Sequence, residues 1–256
     1  IFFAIKGERH NGHIFIKQLF EKGIKEFVVE KDAVEADQDL KYFLENTELK
    51  AFLVQNSIKA LQNLAAEKRS SFEYPVIGIT GSNGKTTTKE LLHAVLSSFY
   101  RCYTTEGNLN NHIGIPLTIL RVKKDAEIAV IEMGANHLKE IEGYCEYAMP
   151  THGLITNCGK AHLEGFGGEA GVRKGKGELF DYLKIHDGTA FVFNDYDYLQ
   201  QMSAGIKTII SYGTGHADYT GIAVNNKGFI EVQITNGADL PSVKTRLVGL
   251  YNLPNV

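Results

Sequence analysis

An apolar run that breaks into glycines and passes straight into a lysine-headed helical segment restricts the fold of this chain more than any other stretch: Val76-Ile77-Gly78-Ile79-Thr80-Gly81-Ser82-Asn83-Gly84-Lys85-Thr86-Thr87. Glycines at 81 and 84 permit backbone conformations and a close approach that a Cβ would obstruct, so successive N–H groups can turn toward an anion. The helix that follows adds the positive end of its dipole. Lys85 is then placed for the β- and γ-phosphates of a nucleotide, and the Thr86 hydroxyl for Mg2+. The general P-loop spacing asks for glycine five positions before Gly84, where Ile79 stands, so the motif is a shortened variant. Gly81, Ser82, Asn83, Gly84, Lys85, Thr86 and Thr87 are the expected nucleotide contacts. A Gly-Lys-Thr on a surface turn is the plainer alternative, and the strand before it and the helix after it weigh against that.

Around this motif the pattern alternates. From Ile1 to about Phe72 it reads as strand, helix (about Ile14 to Lys22), strand (Phe27 to Val29), a polar helical stretch, strand (Ala51 to Val54) and helix (Ser57 to Lys68), a small α/β unit. The polar run Glu67-Lys68-Arg69-Ser70-Ser71 leads to Pro75, and a domain boundary is expected there, giving domains 1–74 and 75–256. The second part reads as Val76–Ile79, a helix over Lys85 to Phe99, strands at Arg101–Thr104 and Ile128–Glu132, and a helix from near His137. Strands at Gly153–Thr156, Ala190–Phe193 and Thr208–Ser211 then enclose a helix around Val172–Leu183. Such alternation predicts a mainly parallel sheet with helices on both faces, whose ligands gather beyond the carboxyl ends of the strands. Residues 221–224 and 228–234, joined through Asn225-Asn226-Lys227, read as an antiparallel hairpin that extends the sheet.

With 256 residues and 43% hydrophobic content the chain can bury a sizeable core, and its net charge of −3 offers no broad attraction to nucleic acid or anionic lipid. Any anion must be held by local groups. Three cysteines without paired metal-ligand spacing favour reduced thiols in a cytosolic protein. The apolar opening Ile1–Ile5 meets Lys6 at once, too short for a signal-peptide core or a membrane span. A start without Met, inside a strand, and an end at Leu253-Pro254-Asn255-Val256, with no terminal helix, are expected of a chain shortened at both ends.

Beyond the P-loop, Ile128-Ala129-Val130-Ile131-Glu132 delivers a carboxylate at a strand end, the placement of a group that holds Mg2+ directly or through water. His162, just past the strand ending near Thr156, is expected on the same ligand edge, although the surrounding His-Leu-Glu is no zinc signature. Lys174 and Lys176, read from spacing alone, form an ordinary cationic helix face. The run Gly107-Asn108-Leu109-Asn110-Asn111-His112-Ile113-Gly114 reads as a loop, either of turn-forming asparagines or of amides that donate to phosphate or substrate oxygens.

Taken in order, these segments resemble the Mur ligase family of peptidoglycan synthesis, in its MurF type. Thr80–Thr87 looks like the family's shortened P-loop. Segments 106–118, 132–137 and 161–167 resemble the MurF forms of their counterparts, and residues 2–13 resemble the family's UDP-sugar domain, with Asn11 where Asp is usual. The resemblance implies an ATP-dependent ligase in which Thr86, Glu132 and His162 serve two Mg2+ sites. It also implies that Lys176 matches a lysine that is commonly carbamylated and would then hold the second ion. Gly175 stands where the family often has Ala.

It implies catalytic roles for Lys85, Lys176, His162 and Asn111, and substrate contacts from Lys6, Gly7, Asn11, Gly12, His13, Asn108, Asn110 and Asn111. Asn252 and Asn255 correspond to the segment near adenine, where Tyr251 replaces a usual His. The implied substrates are UDP-MurNAc-tripeptide and D-Ala-D-Ala, joined through an acyl phosphate by a cytoplasmic monomer with no nucleic-acid or membrane partner. The family's third, C-terminal domain, which closes over ATP, is expected to be missing from this chain, so poor turnover by the chain alone is expected. A sister ligase adding one amino acid, a folylpolyglutamate synthase relative and a non-ligating P-loop module are the alternatives.

Overall fold

The computed structural model describes residues 1–159, 163–226 and 228–256. The chain forms two compact units, Ile1–Ala65 and Ala66–Val256. The first contains β1 (Phe2–Phe3), a 3-10 turn at Gly12–Phe15, α1 (Ile16–Glu21), β2 (Glu26–Glu30), α2 (Lys31–Ala36), α3 (Gln38–Glu45) and β3 (Lys50–Val54). It also includes most of α4 (Ser57–Ser70). Its three strands run parallel in the order β1-β2-β3, with Phe2 beside Phe27 and Phe27 beside Ala51. Ala4, Ile16, Phe27, Val29, Val34 and Leu40 form its core.

The helix expected from Ile14 begins instead as a 3-10 turn, because Asn11 Oδ1 accepts from His13 N at 3.1 Å and caps the chain two residues earlier. Asp37 caps α3 in the same way, accepting from Leu40 N at 2.9 Å.

The second unit carries β4 (Val76–Thr80), α5 (Lys85–Leu96), β5 (Cys102–Thr104), α6 (Gly114–Arg121), β6 (Ile128–Glu132), α7 (Glu140–Ala148) and β7 (His152–Ile155). It continues through α8 (Leu163–Phe166), α9 (Glu169–Ile185), β8 (Thr189–Phe193), α10 (Asp197–Ser203) and β9 (Thr208–Gly213). It ends with β10 (Tyr219–Asn226), β11 (Phe229–Asn236), β12 (Ser242–Lys244) and a 3-10 turn at Leu250–Asn255.

Nine strands form one sheet in the order β12-β11-β10-β9-β8-β7-β4-β6-β5. The strands from β5 to β10 pair in parallel, and β11 and β12 add antiparallel ladders, so the expected β extension is continuous with the parallel sheet.

Every residue of β4 and β6 is buried, as parallel strands covered on both faces require. Ile77 and Ile79 pack with Leu92 and Leu96 of α5, while Gly78 faces Leu179 of α9. The chain leaves β4 for β5 and β6 on one side, then crosses to β7 on the other. That reversal opens a crevice at the carboxyl ends of β4, β6 and β7.

Three local readings are corrected. The asparagine-rich run is not loop to its end, since α6 starts at Gly114 with Ile115 and Ile119 fully buried. The α7 helix starts at Glu140 rather than near His137. Glu140 Oε2 accepts from Asn136 N and His137 N, and Glu178 accepts from Lys139 N and Glu142 N, which holds residues 136–139 in a turn. The last residues, expected without a helix, form the 3-10 turn.

Candidate functional site

The P-loop runs from the end of β4 into α5 with Gly81 at φ +143° and Gly84 at φ +82°. A Cβ on Gly81 would collide with Thr156 Oγ1, and one on Gly84 with the Asn255 amide, so both positions need glycine for conformation and for space. The loop is braced by the segment after β7. Asn157 O accepts from Ser82 N at 2.9 Å, Asn157 Oδ1 accepts from Asn83 N at 3.1 Å, and Thr156 Oγ1 donates to Asn83 O at 2.6 Å. Ser82 and Asn83 thus spend their N–H groups on the brace. The N-terminus of α5 has no side-chain cap, leaving the first-turn N–H groups of residues 85–87 to meet an anion.

Lys85 folds back over the loop, donating to Gly81 O at 2.8 Å and Ser82 O at 3.1 Å. Burial lowers its pKa, and the nearby Glu132 opposes that shift. Thr86 Oγ1 donates to Glu132 Oε1 at 3.2 Å, and Asn110 Nδ2 donates to the same oxygen at 2.8 Å. Glu132 is 1% exposed, and its Oε2 has no hydrogen-bond partner among the described residues. Thr86 and Glu132, brought together from α5 and β6, are a hard oxygen pair of the kind Mg2+ takes while drawing its other ligands from phosphate and water. Among the described residues no group of three or more His, Cys, Asp and Glu converges on a metal position. A phosphate-assisted Mg2+ does not require one.

The expected cationic helix face divides. Lys174 is exposed, but Lys176 is 2% exposed and donates to Ala135 O at 2.8 Å, with its ammonium 5.0 Å from the Phe166 ring centroid. Burial first, and then the charge of Lys85, brings its pKa down to about 8. The surface reading therefore fails for Lys176, whose neighbours in α9 turn it into the interior. Gly175 makes room for this arrangement, because a Cβ there would overlap the Phe166 ring that covers Lys176.

The three asparagines of the loop do different things. Asn110 reaches Glu132, Asn108 is exposed, and Asn111 is exposed with its Oδ1 accepting from Ile113 N at 3.1 Å and Gly114 N at 2.8 Å. Asn111 is thus a cap for α6. Asn255 lies against Gly84 and accepts from Thr88 Oγ1 at 3.3 Å, while Asn252 accepts from Asn255 Nδ2 at 3.0 Å and stands behind it. Asn83 meets Asn157 as described, Thr87 lies in the first turn of α5, and His162 lies outside the described residues.

In the first unit, Lys6 and Asn11 form a β-bridge across a tight turn in which Gly7 N donates to His10 O and Gly12 N to Ile5 O, each at 2.8 Å. His13 is buried, and its Nε2 accepts from Glu30 N at 3.1 Å. Its Nδ1 therefore carries the proton and donates to Asn11 Oδ1 at 2.7 Å.

Sequence reasoning passed over Lys89, Thr105 and the Thr156–Asn157 brace. Lys89 is fully buried one helical turn after Lys85, and only its i+4 spacing from that lysine hinted at the site. A large apolar groove of about 730 Å³ runs beside α5, lined by residues including Leu92, Leu96, Leu154, Phe191, Ile210 and Tyr212. It lacks convergent charged groups, so the charged crevice is the better candidate for chemistry.

Residues 79–256 match the family model described as Mur ligase middle domain, and residues 1–69 match that described as Mur ligase family, catalytic domain. UDP-N-acetylmuramoyl-tripeptide--D-alanyl-D-alanine ligase of Bacillus subtilis (strain 168) is 42% identical over 221 residues, covering 86% of this chain and 46% of that protein. The crystal structure of MurF from Acinetobacter baumannii superposes with a TM-score of 0.84 at 30% identity, over 99% of this chain and 54% of that one. MurF from Thermotoga maritima in complex with ADP gives a TM-score of 0.84 at 30% identity, over 99% of this chain and 57% of that one. The chain spans about half the length of the curated relatives it matches.

Proposed function

This chain belongs to the Mur ligase family, and from that premise we propose that the full-length protein uses ATP to join D-Ala-D-Ala to UDP-MurNAc-tripeptide. The observation that carries the chemistry is the open N-terminus of α5 beside Lys85 and the Thr86–Glu132 pair, which suits a metal-bound polyphosphate. The acceptor and the UDP-peptide come from the similarity to ligases of that name. The same reading places the protein in the cytoplasm, where its precursors are made. Among the described residues no helix is long and apolar enough to cross a membrane.

A carboxylate is a poor acyl donor because its leaving group would be oxide. In the proposed reaction a carboxylate oxygen of the tripeptide attacks the γ-phosphorus of ATP and ADP leaves, giving an acyl phosphate. The amine of D-Ala-D-Ala adds to the acyl carbon, and the tetrahedral adduct loses inorganic phosphate and a proton to give the amide. Lys85 and the first-turn N–H groups of α5 bind and orient the transferring phosphoryl group and offset its charge. Asn110 and Thr86 hold Glu132 in place.

Thr86 and Glu132 would hold one Mg2+, and Lys176, once carbamylated, a second; these ions would supply charge neutralisation on the phosphates. Burial favours the neutral amine of Lys176, the form that reacts with carbon dioxide. Gly81–Thr87, Asn252 and Asn255 are assigned to the nucleotide. The loop around Asn111 and the turn around Asn11–His13 are assigned to the UDP-peptide. His162 is assigned to the metal on the family resemblance.

Phosphate release by the full-length protein tests the proposal, with UDP-MurNAc-tripeptide and either D-Ala-D-Ala or single amino acids as acceptor. Release that needs both UDP-peptide and D-Ala-D-Ala is the expected result. Release with a single amino acid would assign the protein to a sister ligase, and acceptor-independent hydrolysis would favour a nucleotide module that does not ligate.

A further inference from the structure

We propose that Lys89 and Thr105 are positioning residues for Glu132, holding its carboxylate so that Oε1 faces Thr86 and the P-loop. The proposal rests on the reading of Glu132 as a magnesium ligand. The two oxygens of this carboxylate have separate surroundings. Oε1 receives Thr86 Oγ1 and Asn110 Nδ2, while Oε2 has no hydrogen-bond partner among the described residues and lies 3.9 Å from Lys89 Nζ.

Lys89 is 0% exposed, so its charge must be compensated locally. Its Nζ donates to Thr105 O at 2.7 Å and pairs with Glu90 Oε1 at 2.9 Å. Thr105 is equally buried and completes the clamp, its Oγ1 accepting from Glu132 N at 3.0 Å. Three elements are tied at one point: α5 through Lys89, the end of β5 through Thr105, and the end of β6 through Glu132.

A buried ammonium is costly, and a lysine at this position of α5 could be replaced by an apolar side chain if packing were its only task. Among the described residues its one buried carboxylate partner is the candidate metal ligand, whereas Glu90 is 60% exposed. Metal-binding carboxylates are commonly oriented by partners on the oxygen turned away from the ion, and losing such a partner typically costs about 10- to 100-fold in metal affinity. Lys89 also repels a nearby cation, so the sign of its net effect is itself a test. Orientation predominates if the proposal is right.

The experiment is titration calorimetry of Mg2+ into the full-length protein saturated with a non-hydrolysable ATP analogue, comparing Lys89→Met, Lys89→Arg, Thr105→Val and Glu132→Gln, each checked by its melting temperature. Lys89→Met is expected to weaken Mg2+ binding about tenfold. Lys89→Arg, which keeps the charge, should recover part of the loss, and Thr105→Val, nearly the same size as threonine, should weaken binding severalfold. Thr105→Val carries the test if Lys89→Met does not fold. Mg2+ affinity that is unchanged or tighter in Lys89→Met and Thr105→Val, while Glu132→Gln weakens it, overturns the positioning role and leaves the metal reading standing. Unchanged affinity in Glu132→Gln overturns the metal reading itself.

Discussion

Helix α5 borders two unlike regions. At its N-terminus lies a crevice holding Lys85, Lys89, Lys176 and the buried Glu132, while along its flank Leu92 and Leu96 face the apolar groove of about 730 Å³. Thr88 and Asn255 line that groove and also touch each other beside the P-loop. Under the proposed function, reaction chemistry belongs in the crevice and not in the groove. Charged groups withdrawn from water are expensive and must be repaid by pairing or by a ligand, whereas an apolar wall carries no such demand. Convergent buried charge is therefore what favours the crevice in the proposed function.

The sharpest way to break this contrast is to alter one residue on each side. Lys85→Ala in the full-length protein should lower kcat/KM by about 10²- to 10³-fold, as for loss of a preorganised donor to developing charge. Steady-state phosphate release reads it. Leu92→Ala, on the groove side, should cost about 1–2 kcal/mol of stability, less than a fully buried leucine, and leave nucleotide affinity unchanged. Urea denaturation and calorimetry separate those two effects. A Leu92→Ala variant that loses nucleotide affinity while remaining folded would break the distinction between the regions.

Asn111 sharpens the comparison at the rim of the crevice. As a cap of α6 it should cost about 1 kcal/mol when changed to alanine. A loss of stability with unchanged Mg2+ affinity assigns it to the scaffold, and a loss of UDP-peptide affinity beyond that assigns it to the substrate as well.

The smallest effect belongs to the first unit. Burial lowers the His13 pKa below its usual 6.5, with Glu30 opposing and Lys6 assisting that shift. Neutral His13 is thus favoured in the folded protein. Its contribution to stability is full above pH 6.5 and declines as pH falls from there through the lowered folded-state value. Asn11→Asp would place a carboxylate at the Nδ1 proton, raise that pKa and flatten or invert the dependence. NMR titration of the His13 ring and denaturation at pH 5 and 8 measure both.

How much of this was legible in the residues differs from element to element. The strand–loop–helix around Gly81 and Gly84, and Glu132 at the end of β6, were legible because a buried parallel strand is a continuous apolar run whose end can be read directly. The α6 helix was obscured by the asparagines before it. The signals were present in Asn111 as a cap, Pro116 in the first turn and Ile115 and Ile119 one turn apart, but each is weak alone. From helical spacing alone Lys176 and Lys89 were illegible for a different reason, although the family resemblance singled out Lys176. Spacing on a helix says which residues share a face and not which face is covered, and covering is decided by Phe166 in one case and by Thr105 in the other. The 3-10 turn beside the P-loop joins residues 88 and 255 across most of the second unit, a contact that no local pattern encodes.

The most direct test of the central claim is a crystal structure of the full-length protein with Mg2+ and a non-hydrolysable ATP analogue. Phosphates are expected against the first-turn N–H groups of α5 and Lys85, with Mg2+ between Thr86 and Glu132. Nucleotide density in the groove beside Leu92, with the crevice empty of phosphate, would contradict it.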